Sequence, residues 1–253
     1  MIADSEELDQ LAGTITRDGK RQGGALSELF APKEVSAILA IAAQLASAKK
    51  DDLQKTANAV TCLMLAERYG DLIVLLNTLL SPPDKPDKNR EFWVKQVLCF
   101  HSHYTVKHSH VTEVLNAEGK KSLIETSRMI LDLNTLFDRI RQGRPSAECW
   151  NIIDKINFLP STRSELNTKD ILYRGIDPSI KIAYPALLVA AMELLYKDHS
   201  SLKHALHGVP TGTVRERIKA LQSKARLYNE FAASIGMSSD QFASLTKLVA
   251  LMI

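Results

Sequence analysis

Apolar residues recur at helical spacing along most of the 253-residue chain. Residues three and four positions apart share one face of an α-helix, so this spacing predicts amphipathic helices that bury their apolar faces. The predicted helices cover about 33–48, Asp51 to a stop at Gly70, 72–80, 89–104, 118–141, 146–158, 180–195, 213–235 and 238–253. Runs that alternate strictly between apolar and polar residues are hard to find, so no strand is expected.

Capping residues mark several of the predicted helix ends. Gly143 follows the long helix at 118–141 and suits a helix C-terminus, because glycine adopts the left-handed conformation without strain. Thr213 with Glu216, and Ser238 with Gln241, have the spacing of a capping box and predict two helix starts.

Three segments lack the helical pattern. Residues 13–24 contain four glycines and predict an exposed loop, and residues 161–179 predict a polar loop with a short helix inside. Residues 81–88 hold three prolines and predict a connector that no helix continues through. We therefore expect one all-α chain over residues 1–253, an irregular α-solenoid of stacked antiparallel helix pairs, with a possible subdivision into 1–80 and 89–253.

Composition and cysteine content indicate the cellular compartment. The chain is 45% hydrophobic and 24% charged with a net charge of +3, which is ordinary for a globular chain and gives no strong field toward nucleic acid or acidic lipid. No apolar run reaches the roughly 20 residues that span a bilayer, and no secretory signal precedes the first helix. Together with three widely spaced cysteines, interpreted as buried thiols at Cys62, Cys99 and Cys149, this predicts an intracellular protein.

One cluster has residue types that can bind metal. It comprises Cys99, His101, His103, His108 and His110. Thiolate and imidazole are the ligands that zinc prefers, but a structural zinc site needs four converging ligands with paired short spacings, which this segment lacks. We therefore predict solvated histidines at a helix end and in a loop, and no metal site.

A second cluster is basic. It comprises Arg215, Arg217, Lys219, Lys224 and Arg226 on one predicted helix. No aromatic residues are interleaved with these cations and no recognition motif accompanies them, so a solvated helix face is a better interpretation than nucleic-acid binding.

Sequence motifs of the common enzyme classes are absent. The chain has no phosphate-binding glycine loop, no dinucleotide-binding fingerprint and no nucleophile elbow. We expect no catalysis, cofactor or small-molecule substrate, and a role in binding other proteins.

Several phrases of the sequence, taken in order, resemble the nucleoporin-interacting-component family of scaffold nucleoporins. The segment Cys62–Pro82 resembles a family segment in which one helix ends and the next closes with Leu-x-Asn-x-Leu-Leu-Ser-Pro. Further matches are Arg17–Phe30, Asp132–Ile140, Ile152–Pro160, Ile180–Tyr196, Arg217–Met237 and Leu245–Met252. Each phrase is largely an apolar helix pattern, so the resemblance depends on their order across most of the chain.

The resemblance implies a structural component of the inner ring of the nuclear pore complex, at the nuclear envelope. It implies that the chain is the C-terminal third of a longer protein, with Ile253 near the natural end. Partners implied are other nucleoporins, including linear segments of flexible linker nucleoporins, and channel nucleoporins through an upstream coiled-coil region. It assigns no partner-binding residue to any position.

Two alternatives remain at this point. Vesicle-coat and tethering proteins share folded-back helical designs, so an adaptor of that class is possible. A metal-dependent or nucleic-acid-binding helical domain would use the histidine cluster or the basic helix instead.

Overall fold

The computed structural model describes residues 7–16, 21–48, 52–102, 109–205 and 212–253. Most of these residues are helical, which confirms the all-α prediction. The helices are α1 (Leu8–Ala12), α2 (Ala25–Leu29), α3 (Pro32–Ser47), α4 (Leu53–Leu65), α5 (Tyr69–Leu80), α6 (Arg90–Phe100), α7 (Ser109–Ala117), α8 (Ser122–Arg141), α9 (Ser146–Ile156), α10 (Leu166–Gly175), α11 (Pro178–Lys181), α12 (Tyr184–Ala205), α13 (Gly212–Ser234) and α14 (Ser239–Met252).

The chain forms two compact units. Unit 1 comprises Met1–Leu80 and Pro86–Arg128, and unit 2 comprises Ser81–Lys85 and Met129–Ile253. The predicted connector at 81–88 contains no helix. Its first five residues pack with unit 2, and the other change of unit falls inside α8.

In unit 1, helix α3 shows how local signals set a helix. Pro32 occupies its first turn, where a missing N–H is harmless, and the Glu34 carboxylate accepts a hydrogen bond from the Ala31 N–H at 2.9 Å. Val35, Leu39 and Ala43 lie on its buried face against α4. The N-cap of the next helix, α4, is Asp52, one residue after the predicted Asp51, which lies outside the described residues. The Asp52 carboxylate accepts a hydrogen bond from the Lys55 N–H at 3.1 Å.

The predicted helix stop at Gly70 is wrong. Helix α4 ends at Leu65, Glu67 takes the left-handed conformation with φ 56°, and the Arg68 N–H donates to the Leu63 carbonyl at 3.0 Å. That bond closes a Schellman-type helix end without glycine. Gly70 instead lies in the first turn of α5, where an added Cβ would come within 2.6 Å of the Lys120 side chain. A larger residue at position 70 would therefore displace the flexible end of the Lys120 side chain, and the backbone there is not left-handed.

The glycine-rich opening is more ordered than the predicted loop. Strands β1 (Gly13–Ile15) and β2 (Arg21–Gly23) pair antiparallel, with Gly13 opposite Gly23. Gly13 has φ 95°, and a Cβ there would meet the Gln22 carbonyl oxygen at 2.0 Å, so only glycine fits. The expectation of no strand is therefore wrong for this small hairpin.

A helix in unit 1 escaped prediction. Helix α7 occupies residues 109–117, between the predicted helices at 89–104 and 118–141. Its two buried apolar residues, Val111 and Leu115, form too short a stripe to stand out in a polar segment.

In unit 2, helix α12 is central and contacts α9, α13 and α14. The Tyr184 ring at its start stacks on Phe158 at 5.3 Å and meets the edge of Tyr173 at 5.0 Å, while its hydroxyl donates to the Phe158 carbonyl at 2.7 Å. Pro185 lies in the first turn, so it marks the helix start rather than a kink.

The stretch Pro178–His204 is long and apolar enough to cross a membrane by length and composition. However, 56% of its most apolar window is buried inside the protein, against the helices named above. That burial is typical of a core helix.

Two further predictions in unit 2 need correction. Residues 161–179 are mainly helical, because α10 and the start of α11 occupy most of this segment. Helix α13 begins at Gly212, so Thr213 lies inside its first turn and is not the N-cap. The other predicted start is confirmed in position, since Ser238 is the N-cap residue of α14. The predicted capping box does not form there: the Ser238 side chain makes no hydrogen bond to the helix backbone, and its hydroxyl donates to the Gln241 side-chain oxygen at 2.9 Å.

Candidate interaction grooves

The predicted solvated histidines are not all solvated. His101 follows α6 and is only 9% exposed, and its Nε2 lies 2.9 Å from the Ser127 hydroxyl. Burial, assisted by the Arg128 charge, lowers the pKa of His101 to about 4, so the ring is neutral near pH 7. His103, His108 and the His110 side chain lie outside the described residues. Within the described ranges, no group of three or more possible ligands could hold a metal ion.

The three cysteines divide between core and surface. Cys62 and Cys149 are buried, as predicted, and burial raises the pKa of the Cys62 thiol to about 11. Cys99 is exposed, so its assignment to the core is wrong. It lies on α6 two residues before the buried His101, on a different face of the helix.

Four of the five basic residues on α13 are exposed, as predicted for a solvated face: Arg215, Arg217, Lys219 and Arg226. Lys224 is the exception. Its ammonium lies 4.2 Å from the centroid of the Trp150 ring and 5.7 Å from that of Tyr228. The Trp150 indole N–H donates to Asp198 at 3.0 Å, which holds that ring in place. Lys224 is therefore a half-buried cation over an aromatic face.

Lys224 lies in an open groove of about 640 Å³ in unit 2, which we call the α13 groove. One wall is α13, and the other is the segment Ser161–Arg163 after α9. Arg163 bridges the two walls, since its guanidinium makes two hydrogen bonds to the Glu230 carboxylate, one of them at 3.2 Å. The apolar lining residues of the groove are Ala220, which is exposed, and Leu227, which is buried.

A second groove, of about 250 Å³, lies in unit 1, and we call it the α3–α5 groove. On α3 its lining residues are small or polar: Ala40, Ala43, Gln44 and Ser47. Leu63 of α4 and the α5 residues Val74 and Leu75 add an apolar surface, with Val74 49% exposed. Asp71, paired with Arg68 at 2.6 Å, is the one charged lining residue among those described for this groove.

Sequence reasoning assigned no residue to either groove. The small residues of α3 recur at helical spacing and were available as a signal, because small side chains leave room beside a helix. Which neighbouring helix flanks that room depends on tertiary packing, so the groove could not be read from the sequence.

The chain is similar to known nuclear pore proteins. The model of the family described as Nup93/Nic96 matches residues 1–241. The chain is 25% identical over its whole length to a zebrafish (Danio rerio) protein named nuclear pore complex protein Nup93, and 26% identical to the Xenopus tropicalis protein of the same name. It spans 30% of the length of each relative.

Among solved structures, the chain is similar to the crystal structure of Chaetomium thermophilum Nic96 SOL, with a TM-score of 0.79 and 17% sequence identity. The likeness covers 98% of this chain and 39% of the other. It confirms the predicted α-solenoid fold class. Because the family model matches almost the whole sequence, this chain belongs to the Nup93/Nic96 family.

Proposed function

We propose that this chain is part of a scaffold nucleoporin of the nuclear pore complex inner ring, acting at the nuclear envelope. The match of the Nup93/Nic96 family model to residues 1–241 carries this proposal. The names of the relatives place those proteins in the nuclear pore complex. The role is structural: the chain binds other nucleoporins, and through them supports pore assembly and nucleocytoplasmic transport.

The helical stack supports such a role physically. Helices packed through their apolar faces leave grooves between neighbours, and an amphipathic segment can lay its own apolar face into such a groove. The α3–α5 groove has this character, because Val74, Leu75 and Leu63 are apolar and the small α3 residues leave room. We assign a linear segment of a linker nucleoporin to it.

Isothermal titration calorimetry of the 253-residue chain with linker-nucleoporin segments tests this proposal. Val74→Lys places a charge in the groove, and because Val74 is 49% exposed the new ammonium reaches solvent and the fold is retained. We expect this variant to weaken binding at least tenfold.

Ile41→Lys is the matched control. Ile41 is 58% exposed on α3 but does not line the groove, so the same chemical change there should alter affinity less than twofold. Equal losses in both variants would refute the assignment of the groove. Binding to coat proteins, with no binding to any inner-ring or linker nucleoporin, would refute the scaffold proposal and favour a coat or tethering adaptor.

A further inference from the structure

The α13 groove has more positive than negative charge. Its charged lining residues are Arg163, Lys224, Arg226 and Glu230. Arg163 and Glu230 neutralise each other through their two hydrogen bonds. Lys224 and Arg226 remain, and among the described residues neither has a hydrogen bond or ion pair.

Lys224 is the unusual member of this set. Its ammonium is partly withdrawn from water by the Trp150 and Tyr228 rings, and an aromatic face compensates an ammonium only in part. Burial lowers the pKa of Lys224, and the Asp154 charge opposes this shift. A half-buried cation with free N–H donors attracts an anion more strongly than a solvated lysine does, since less water must be removed.

The rest of the groove restricts the kind of anion. Its volume of about 640 Å³ is in the range of pockets that hold a small ligand or a few side chains. Ala220 supplies exposed apolar surface on the same helix as the two cations, Leu227 is buried beneath the groove, and Ser223 adds a hydroxyl. A phosphodiester backbone offers nothing apolar to this surface, whereas a peptide can place a carboxylate and an apolar side chain side by side.

We propose that the α13 groove binds a short acidic segment of a partner protein, with one carboxylate on the Lys224 ammonium, a second acidic group at Arg226 and a neighbouring apolar side chain beside Ala220. Lys224 and Arg226 are two positions apart on α13 and do not face each other, so each takes its own acidic group. This inference rests on the proposed scaffold function only for the identity of the partner as a protein of the pore. It names a second site, separate from the α3–α5 groove and of different chemistry.

The Arg163–Glu230 pair leaves donors for an incoming acidic segment. The Arg163 side chain is 78% exposed, so its pairing with Glu230 is open to solvent and contributes little to stability. An incoming carboxylate can therefore share the Arg163 guanidinium, whose five N–H donors exceed those that Glu230 uses.

Selection from a displayed library of random octapeptides against the 253-residue chain tests the proposal. We expect the enriched peptides to carry Asp or Glu next to a Leu or aromatic residue. A synthetic copy of the most enriched peptide should lose at least tenfold in affinity when its acidic residue is replaced by the corresponding amide. Enrichment without acidic residues, or no enrichment, would overturn the proposal.

Two variants of the chain locate the binding. Lys224→Met keeps the length that packs on Trp150 but removes the charge, and Arg226→Gln changes an exposed residue that does not support the fold. Each should weaken the acidic peptide at least fivefold. Lys219→Met, on the exposed face of the same helix and outside the groove, should leave affinity within twofold.

The salt dependence and a competitor distinguish the alternatives. The competitor is a 12-nucleotide single-stranded nucleic acid. If it displaces the peptide and its own affinity falls steeply with salt, nucleic acid is the occupant of the groove and the proposal is overturned. If the chain binds linker segments at the α3–α5 groove but binds no acidic peptide, this inference alone is overturned. Loss of linker binding with intact acidic-peptide binding would overturn only the proposed function.

Discussion

The last six residues of the chain provide the clearest test of how unit 2 is held together. A truncation after Lys247 removes the second half of α14, which packs against α12 and α13. Within the removed segment, Met252 is fully buried and Val249 nearly so. Leu251 and Ile253 are more than half exposed and contribute little.

The size of the effect follows from these burials. Full burial of a Val or Met side chain stabilises by about 1.5–3 kcal/mol, so the two together contribute roughly 3–6 kcal/mol. The truncation also removes the Met252 carbonyl, which accepts a hydrogen bond from the Gln222 amide at 2.6 Å, for about 1 kcal/mol more. A loss of roughly 4–7 kcal/mol is a large part of the about 5–15 kcal/mol that typically stabilises a folded domain.

Differential scanning calorimetry measures this loss. At roughly 2–4 °C per kcal/mol for a chain of this size, the melting temperature should fall by roughly 8–28 °C. Met252→Ala alone should cost about 2–5 kcal/mol, because it leaves a cavity in a packed core. Ile253→Ala is the control and should cost less than about 0.5 kcal/mol. A truncated chain that melts within about 2 °C of the intact one would refute the docking of α14.

Other predictions concern single side chains. Tyr184→Phe should lower the free energy of unfolding by about 1–3 kcal/mol in urea titrations, because the buried Phe158 carbonyl loses its donor, and an unchanged value would refute that role for the hydroxyl. The folded-state pKa of His101 is about 4, against 6.5 for the free side chain, so the unfolded chain binds more protons between these two pH values. The free energy of unfolding should therefore fall as pH decreases from about 6.5 to about 4. His101→Gln should reduce this pH dependence in thermal melts, and an unaltered pH profile would contradict the burial of a neutral His101. A maleimide should label Cys99 rapidly in the native chain, and should label the buried thiols of Cys62 and Cys149 only after unfolding. Mass spectrometry of the labelled chain measures this, and fast labelling of all three cysteines would contradict the burial of Cys62 and Cys149.

Much of the secondary structure follows from the sequence alone. The spacing of apolar residues in α3, α5 and α12 is local information, because residues three and four apart meet on one helix face whatever the rest of the chain does. The glycine at position 143, with φ 65°, ends α8 for an equally local reason. The all-α class and the resemblance to the Nup93/Nic96 family follow from the same ordered helix patterns, and the family match confirms the latter.

The tertiary structure alone determines which residues each helix face contacts. Gly70 is in contact with the Lys120 side chain, 50 residues away, and His101 is buried beside Ser127, so neither role shows in its neighbours along the chain. From the sequence, Lys224 is predicted to be a solvated cation on α13, because the Trp150 ring that it packs on belongs to a different helix, α9. Burial and grooves depend on contacts between residues distant in sequence, which periodicity does not encode, and for that reason both candidate sites came from the packing of helices rather than from any motif.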